Sequence, residues 1–350
     1  MKLTRNNVID ITKCIGILLV VLGHVLLDGN VKNIIYMFHM PLFFFVSGIT
    51  FKYSYNNDIS FKDFARKKFK SIMIPYFIFI ILSFIYWSLI ERKIRNQFDI
   101  SLVDNFINIF VCIIKDDLYA SNIVMWFLPC LFTSQLLFYL IIKIKKHTRI
   151  ILIVICGIVG YLFNFTKIVL PYGIETSLIA VFYIYIGYIF DISKLKNKKN
   201  IVYNSIFSIF SMTICFICNH KLSMLGHYYG NFILFLMGSF SGIFITLIIS
   251  NAIDNLFNGK VKKGLIYIGI NSLIIMVCHE PIKRILVIFI SKITSVSVTI
   301  LRTNLLYSLL ITFLIIITMI PIIFIINKYL PFFIGKSHSK EKILVKEGGH

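Results

Sequence analysis

The chain has 350 residues, of which 58% are hydrophobic and 15% are charged, and its mean hydropathy is +0.86. A water-soluble domain of this length cannot bury so large an apolar fraction, so the composition excludes that class of protein. The net charge of +21 does not indicate nucleic-acid binding, because the basic residues fall in alternate loops instead of forming one basic surface.

The sequence predicts an all-α, polytopic membrane bundle of about ten transmembrane helices. Repeated apolar runs of about 20 residues are typical of helices that cross a bilayer. The apolar piece 106–114 is too short to cross, so we expect it at the membrane interface. The runs form one membrane domain, 1–335, followed by a polar cytoplasmic tail, 336–350. The predicted spans are 9–28, 33–51, 71–90, 121–142, 149–165, 174–191, 200–218, 229–250, 264–289 and 303–327.

The lysine and arginine residues predict the orientation of this bundle. Most of them lie at the N-terminus, in 52–70, in the loops around 143–149, 194–199 and 260–263, and after the last span. These segments alternate with less basic loops, and loops rich in Lys and Arg stay in the cytoplasm. Both termini are therefore predicted to be cytoplasmic. We expect a multi-pass protein of a cell membrane, namely a bacterial plasma membrane.

This topology brings polar side chains from different spans to one depth, close to the outer face. His24 lies about four residues, or roughly 6 Å, from the outer end of its span, and His39 lies about six residues, or roughly 9 Å, from its own. His279, which is a candidate catalytic residue together with His24, falls in the outer third of its span. Three further candidates for substrate binding lie at outer span ends, and these are Trp126, Glu175 and Asn231.

These side chains also have simpler explanations. His39 and His279 are each followed two positions later by a proline, which frees a backbone carbonyl that a nearby polar group can satisfy. Glu175 can be an ordinary interfacial carboxylate, and Trp126 can belong to the aromatic belt of a membrane protein. For His24 a function is favoured, because ionisable groups within spans are costly and usually face a cavity.

Lys13 and His24 are predicted to lie on one face of the first helix. Eleven residues correspond to slightly more than three turns, so the two side chains lie about 16 Å apart along the helix. Asp10, Ile17 and Val20 belong to the same stripe. Lys13 is near enough to the inner face to extend its ammonium into water, which is the alternative to a binding role. The stripe suits a charged donor that meets Lys13 inside and reacts at His24.

Histidine is the side chain best suited to take a proton from a hydroxyl near neutral pH, so His24 is the candidate general base. The sequence contains no G-x-S-x-G nucleophile motif, no H-E-x-x-H metal motif and no glycine-rich phosphate loop. We therefore expect direct transfer of a group to an activated hydroxyl, with no metal and no tightly bound cofactor.

Seven segments, in order along the chain, resemble the membrane-bound acyltransferase 3 family. RNNVIDITKCIGILLVVLGH is similar to the family's first-helix pattern of a basic residue, ten residues and a histidine, matched by Lys13 and His24. FHMPLFFFVSG resembles the second-helix motif, and KKFKSIMIPY resembles a basic pair before Pro-Tyr, with Lys67 and Lys70 in place of arginines. The later segments are MWFLPCLF, LPYGIETSLIAVFYIYIGYIF, YYGNFILF and IGINSLIIMVCHEP, the last of which contains His279.

The resemblance implies transfer of an acyl group, commonly acetyl from acetyl-CoA, to a hydroxyl of a surface carbohydrate. It implies a catalytic role for His24 and contacts with the acyl donor for Lys13, Lys67 and Lys70. Lysine lacks the planar, bidentate geometry with which arginine binds phosphate. The middle segments look closest to sugar O-acetylases, typified by fucose 4-O-acetylases. Some relatives carry an extra extracytoplasmic hydrolase-like domain, and we expect none in this chain after its last span.

Two functions remain open at the level of sequence. In the first, an O-acetyltransferase modifies a surface glycan or lipid-linked sugar within the lipid bilayer, with acyl-CoA as co-substrate and polysaccharide-synthesis proteins as partners. In the second, the bundle exports a polysaccharide or lipid-linked sugar without transferase activity, and His24 only binds it. We favour the enzyme, because Lys13, His24 and the distant His279 suit group transfer and the sequence lacks the internal repeats of many transporters.

Overall fold

The computed structural model describes residues 6–54, 58–113, 120–166, 168–196, 198–219 and 222–336. Within these residues the chain folds into helices and short helical turns, without a β-strand. The predicted all-α bundle is confirmed, whereas most of the predicted tail, 337–350, lies outside the described residues. The helices are α1 (Asn7–Val25), α2 (Asn30–Ser54), α3 (Phe61–Ile94), α4 (Leu102–Val111), α5 (Phe127–Ile142), α6 (Lys146–Leu162), α7 (Ile174–Ile189), α8 (Lys198–Cys218), α9 (Phe232–Leu256), α10 (Gly259–Ile270), α11 (Ser272–Thr294), α12 (Val298–Thr303) and α13 (Leu305–Tyr329).

Nine helices in the described part of the chain are long and apolar enough to cross a membrane, and each corresponds to a predicted span. The tenth predicted span, 264–289, is wrong as a single helix, because it divides at Asn271 into α10 and α11. The Asn271 side chain donates to the carbonyl of Tyr267 at 2.8 Å and accepts from Asn327 of α13 at 2.7 Å, which fixes the break. The short helix α4 overlaps the predicted interfacial piece, 106–114, over residues 106–111.

α1 lies at the centre of the bundle, where it packs against α2, α9, α10, α11 and α13. The stripe predicted from the sequence is buried, since Asp10, Ile17 and Val20 are between 0% and 4% exposed. The face of α1 that carries Lys13 and His24 therefore points into the protein rather than towards lipid.

α3 contains two π-helical segments, Phe69–Met73 and Trp87–Glu91. The first directly precedes the turn that contains Pro75, whose ring cannot be packed into an unmodified α-helix without losing a hydrogen bond. The second places Trp87 and Glu91 in the interior of the protein, where they are 0% and 3% exposed. Single π-helical turns are frequent at functional sites.

α2 and α7 cross with their backbones in contact at Gly48 and Gly187. A methyl group at either position would collide with a carbonyl oxygen of the facing helix. Small residues at helix crossings are a common way for membrane helices to pack closely. This contact holds α2 against α7, and both helices carry candidate site residues.

Candidate active site

His24 lies in the last turn of α1 and faces α11. Its ring centroid is 5.4 Å from that of His279, and its Nδ1 is 3.9 Å from Oε2 of Glu280. His279 and Glu280 are 0% and 3% exposed, whereas 19% of the His24 side chain is exposed. A ring nitrogen of each histidine and a carboxylate oxygen of Glu280 lie within 4.8 Å of one another. The structure thus brings together two histidines that the sequence placed at one depth.

Two cations hold the end of α1 that carries His24. Nζ of Lys283 donates to the carbonyl of His24 at 3.2 Å, and the guanidinium of Arg302 donates to the same carbonyl at 3.3 Å and to that of Val25 at 2.9 Å. The last carbonyls of a helix lack intrahelical partners and carry partial negative charge, so cations are favourable there. These contacts fix the backbone from which the His24 ring projects.

The hydrogen bonds of His279 determine its neutral tautomer. Nδ1 lies 3.0 Å from the carbonyl of Ile275 and 2.8 Å from that of Met276, both in its own helix. A carbonyl can only accept, so the hydrogen of the neutral ring is assigned to Nδ1 and the lone pair to Nε2. Nε2 is buried and has no hydrogen-bond partner among the residues that the structure describes. A buried acceptor without a partner is costly, so this atom is available to a donor from a ligand or a water molecule.

Glu280 belongs to a buried network of alternating charges that joins α11 to α3. Its carboxylate accepts from Lys283 at 2.7 and 2.8 Å and from Nε of Arg284 at 3.0 Å. The Arg284 guanidinium also donates to both oxygens of Glu91 at 2.9 Å, and Glu91 accepts from Arg95 at 3.1 Å. Burying charges is tolerated when each has a partner, as here. The network fixes the carboxylate next to His24.

Asn122 links α11 to the turn before α5. Pro281 has no N–H with which to reach the carbonyl of Val277, and Nδ2 of Asn122 donates to that carbonyl instead, at 3.0 Å. The same amide donates to the Ser83 hydroxyl at 3.1 Å. Trp126, in the helical turn that follows, is 4% exposed and therefore buried rather than part of a lipid-exposed belt.

His39 lies next to the His24 cluster. Its ring centroid is 4.8 Å from that of Tyr36, which is in turn 6.4 Å from that of His24. Nδ1 of His39 is 2.8 Å from the carbonyl of Ile35, so its neutral ring carries the lone pair on Nε2, as in His279. His39 thus satisfies a carbonyl of its own helix and also lies beside the candidate active site.

Glu175 and His227 form a separate buried pair. Glu175, in the first turn of α7, is 0% exposed; its Oε2 accepts the N–H of Leu170 at 3.2 Å. Its Oε1 is 3.3 Å from Nε2 of His227, which is also 3.1 Å from the Thr176 hydroxyl. Within the described ranges, no hydrogen bond or ion pair joins this pair to His24. The role of Glu175 in substrate binding stays a prediction.

Asn231 caps α9. Its side chain accepts the N–H of Leu234 at 3.1 Å, and its backbone is held on both sides by the Asn219 amide, each contact being 3.1 Å long. An asparagine at this position stabilises a helix whatever else it does. Its part in substrate binding also stays a prediction.

The three predicted donor-binding lysines lie far from His24. Lys13, with a side chain that is 26% exposed, is 3.6 Å from Asp10 near the start of α1. Lys67 and Lys70 are exposed near the start of α3, and Lys70 is 21 residues, or about 30 Å along the helix, from Glu91. These lysines therefore belong to the opposite end of the bundle from the histidine cluster.

Over residues 6–332 the chain matches the model of a family described as an acyltransferase domain. It belongs to this acyltransferase 3 family. Among the curated proteins and the solved structures, none matches the chain. Because the matched region covers nearly the whole bundle, the protein is a multi-pass membrane acyltransferase, which transfers groups other than amino-acyl groups. The branch typified by fucose 4-O-acetylases stays a prediction.

Sequence reasoning missed several residues that build the site of this acyltransferase. The clearest signal was the run CHEPIKRIL, which places three charges inside an otherwise apolar helix, since an ionisable residue within a membrane span is a functional candidate by default. Lys283 and Arg284 of this run, and Arg302 of α12, also belong to the minority of basic residues that are predicted on the outer side. The residues of the site to which the sequence assigned no role are Tyr36, Glu91, Asn122, Glu280, Lys283, Arg284 and Arg302.

Proposed function

We propose that this acyltransferase moves an acetyl group from acetyl-CoA to a hydroxyl of a cell-surface carbohydrate, and that His24 is the general base. The observation that carries the proposal is a partly exposed imidazole whose Nδ1 is 3.9 Å from the buried carboxylate of Glu280. A carboxylate beside one ring nitrogen favours the tautomer with a lone pair on the other, and it stabilises the imidazolium that forms. Catalytic hydrogen bonds are often long before substrate binds.

In the proposed reaction His24 first accepts one proton and later donates it again. The hydroxyl oxygen of the acceptor attacks the thioester carbonyl carbon while Nε2 of His24 takes the hydroxyl proton. The tetrahedral intermediate then collapses, the carbon–sulfur bond breaks, and the His24 imidazolium returns the proton to the departing thiolate. The products are the O-acetyl ester and free CoA, and the enzyme is unchanged. General-base catalysis of this kind contributes about 10²- to 10⁴-fold.

The acyl donor is proposed to approach from the cytoplasmic end of α1. Lys13 lies there, about 16 Å from His24 along the helix. CoA carries its phosphates at one end and its thioester at the end of a long, flexible arm. Its charged end can therefore stay near Lys13, with Lys67 and Lys70 adding positive charge, while the thioester reaches His24.

The acceptor is proposed to be a surface glycan or a lipid-linked sugar that reaches the cluster from the outer side of a bacterial plasma membrane. His39 and Trp126 are candidates for its binding site. The ring of His39 packs on Tyr36 beside His24, and the turn that contains Trp126 packs against α11. Proteins of polysaccharide synthesis are the expected suppliers of this acceptor.

The test is an acetyl-transfer assay with the full-length protein in lipid nanodiscs. The protein is incubated with radiolabelled acetyl-CoA and surface carbohydrate from cells that lack it, and labelled carbohydrate and free CoA are measured. His24→Asn is expected to lower the rate at least about 100-fold, because it removes the proton acceptor. His227→Asn is the matched control, since it makes the same change to another histidine beside a carboxylate and is expected to keep the wild-type rate.

A wild-type rate in folded His24→Asn protein would overturn the role of His24 as the base. The proposed reaction fails if the wild-type protein neither transfers nor hydrolyses the acetyl group. If surface polymer then also disappears from cells that lack the protein, export is the better explanation.

A further inference from the structure

We infer that the acceptor presents a second hydrogen-bond donor on the atom next to the reacting hydroxyl, and that Nε2 of His279 binds this donor. The inference rests on the proposed function and adds the class of substrate, namely a vicinal diol or an amide N–H beside a hydroxyl. His279 becomes a binding residue for the acceptor, whereas His24 remains the base.

Nε2 of His279 has no hydrogen-bond partner among the described residues. In the neutral ring Nε2 can only accept a hydrogen bond. The hydrogen is on Nδ1, because this atom faces the backbone carbonyls of Ile275 and Met276. The residue is 0% exposed, so bulk water does not satisfy the atom. Buried polar groups are costly without a partner, and a bound ligand is one way in which such a group is satisfied.

The spacing of the two imidazole rings suits a donor that is bound together with the reacting hydroxyl. The two imidazole rings are 5.4 Å apart between centroids, and a ring nitrogen of each lies within 4.8 Å of the other. Oxygens on adjacent carbons are separated by about one hydrogen-bond length, so each can reach one of two acceptors at this spacing. One hydroxyl then gives its proton to His24 while its neighbour donates to His279.

A metal ion fits the same atoms less well. Two histidines and a carboxylate are ligands that Zn²⁺ uses. The carboxylate of Glu280, however, is already bound by Lys283 and Arg284, with three contacts between 2.7 and 3.0 Å. A divalent cation would add two positive charges beside Lys283 and Arg284, with which this carboxylate is already paired. A neutral hydroxyl or amide donor meets the unpartnered nitrogen without that repulsion.

The site should therefore prefer a ligand with two adjacent hydrogen-bond donors over a ligand with a single hydroxyl. A site with a buried acceptor discriminates against ligands that leave this acceptor unpaired. One neutral hydrogen bond to a buried group corresponds to a preference of about 10- to 100-fold. Removing the acceptor should abolish the preference while leaving the base in place.

The experiment measures inhibition of acetyl transfer to surface carbohydrate by two small alcohols, cis-1,2-cyclohexanediol and cyclohexanol. In the wild-type protein the diol should inhibit at a concentration at least about 10-fold lower, competitively with the carbohydrate. His279→Ala should bring the two inhibition constants within about twofold and raise KM for the carbohydrate more than it lowers kcat. His279→Gln retains an acceptor oxygen and should keep part of the preference, and His227→Asn should keep all of it.

Equal inhibition by the two alcohols, or inhibition by neither, in an active wild-type protein overturns the inference and leaves the proposed function intact. So does a preference for the diol that survives in both His279 variants. Stoichiometric zinc in the purified wild-type protein, lost in His279→Ala, would overturn it in favour of a metal site. Absence of any transfer or hydrolysis of acetyl-CoA by the wild-type protein would instead be a failure of the proposed function.

Discussion

Two buried carboxylates in this bundle each lie beside an imidazole, and the two pairs differ in what holds the carboxylate. Glu280 is bound by two cations and is 3.9 Å from Nδ1 of His24. Glu175 is bound by a backbone N–H and lies closer to its histidine, with 3.3 Å between Oε1 and Nε2 of His227. The pair with the shorter contact is therefore the one with the less neutralised carboxylate.

The surroundings of the histidines differ as well. Nε2 of His227 contacts both Glu175 and the Thr176 hydroxyl, and the residue has a left-handed backbone with φ +57. It lies in a loop closed by two backbone hydrogen bonds between Ser223 and Tyr228, each 2.9 Å long. This pair holds the loop 223–228 against the start of α7. His24, by contrast, is partly exposed and projects from a helix end held by cations.

A glutamate and a histidine can therefore either stabilise a fold or take part in a reaction, and the groups bound to the carboxylate decide between the two. A carboxylate already neutralised by lysine and arginine can remain ionised in the interior without needing the imidazole. The imidazole beside it is then free to gain and lose a proton. Substitutions in the two pairs and in the charged network around Glu280 test this distinction.

The largest effect is expected from Glu280→Gln. The substitution keeps the shape of the side chain but removes the charge that Lys283 and Arg284 share, and it leaves His24 without its carboxylate. Acetyl transfer should fall by about 100-fold or more. The free energy of unfolding should fall by about 3–5 kcal/mol, because two buried cations lose their partner. Both are measured on nanodisc protein, as label transferred per folded molecule and as resistance to denaturant.

The matched change in the other pair is His227→Asn, because asparagine tolerates a left-handed backbone better than most residues. It should cost about 1–3 kcal/mol of stability through the lost contacts with Glu175 and Thr176, with little change in the rate per folded molecule. Equal losses of rate in Glu280→Gln and His227→Asn would contradict the distinction between the two pairs.

A smaller effect is expected from Glu91→Gln, which acts on His24 only through Arg284 and Glu280. Without the charge of Glu91, Arg284 keeps Glu280 as its one charged partner among the described residues and should pull that carboxylate away from His24. We expect kcat to fall by about 10-fold with KM unchanged, since roughly 1.4 kcal/mol of transition-state stabilisation is lost. Steady-state kinetics separate the two constants.

Two further variants distinguish positioning from simple instability. Glu91→Asp keeps the charge and should restore most of kcat. Arg95→Gln removes the more exposed partner of Glu91, a side chain that is 42% exposed, and should leave kcat near that of the wild type. A loss of kcat in Arg95→Gln as large as that in Glu91→Gln would contradict the proposed route through Arg284.

The sequence was sufficient for the parts of the molecule that depend on local pattern. Apolar runs predict the bundle and nine of its spans, and helical spacing predicts the buried stripe of α1 with His24 on it. The apolar run 264–289 did not predict the break at Asn271, because the break depends on a side-chain contact with Asn327 of a helix that is distant in sequence. The role of Glu91 was not predicted for the same reason, since only the tertiary fold brings it to Arg284.

The smallest effect is expected at the opposite end of α1. Lys13→Met removes the positive charge proposed to meet the phosphates of acyl-CoA, and KM for acetyl-CoA should rise by about threefold to fivefold with kcat unchanged, as befits one partly exposed charge. Lys13→Arg restores the charge and supplies the bidentate geometry that phosphate favours, so KM should return to the wild-type value or below it.

High salt offers an independent test of the same charge. Contacts between partly exposed charges are screened by salt, so KM for acetyl-CoA should rise with ionic strength in the wild-type protein and less steeply in Lys13→Met. If Lys13 only extends its ammonium into water, neither KM nor its salt dependence will change. In that case the two ends of α1 would be functionally independent, and the donor would be bound without the help of this helix.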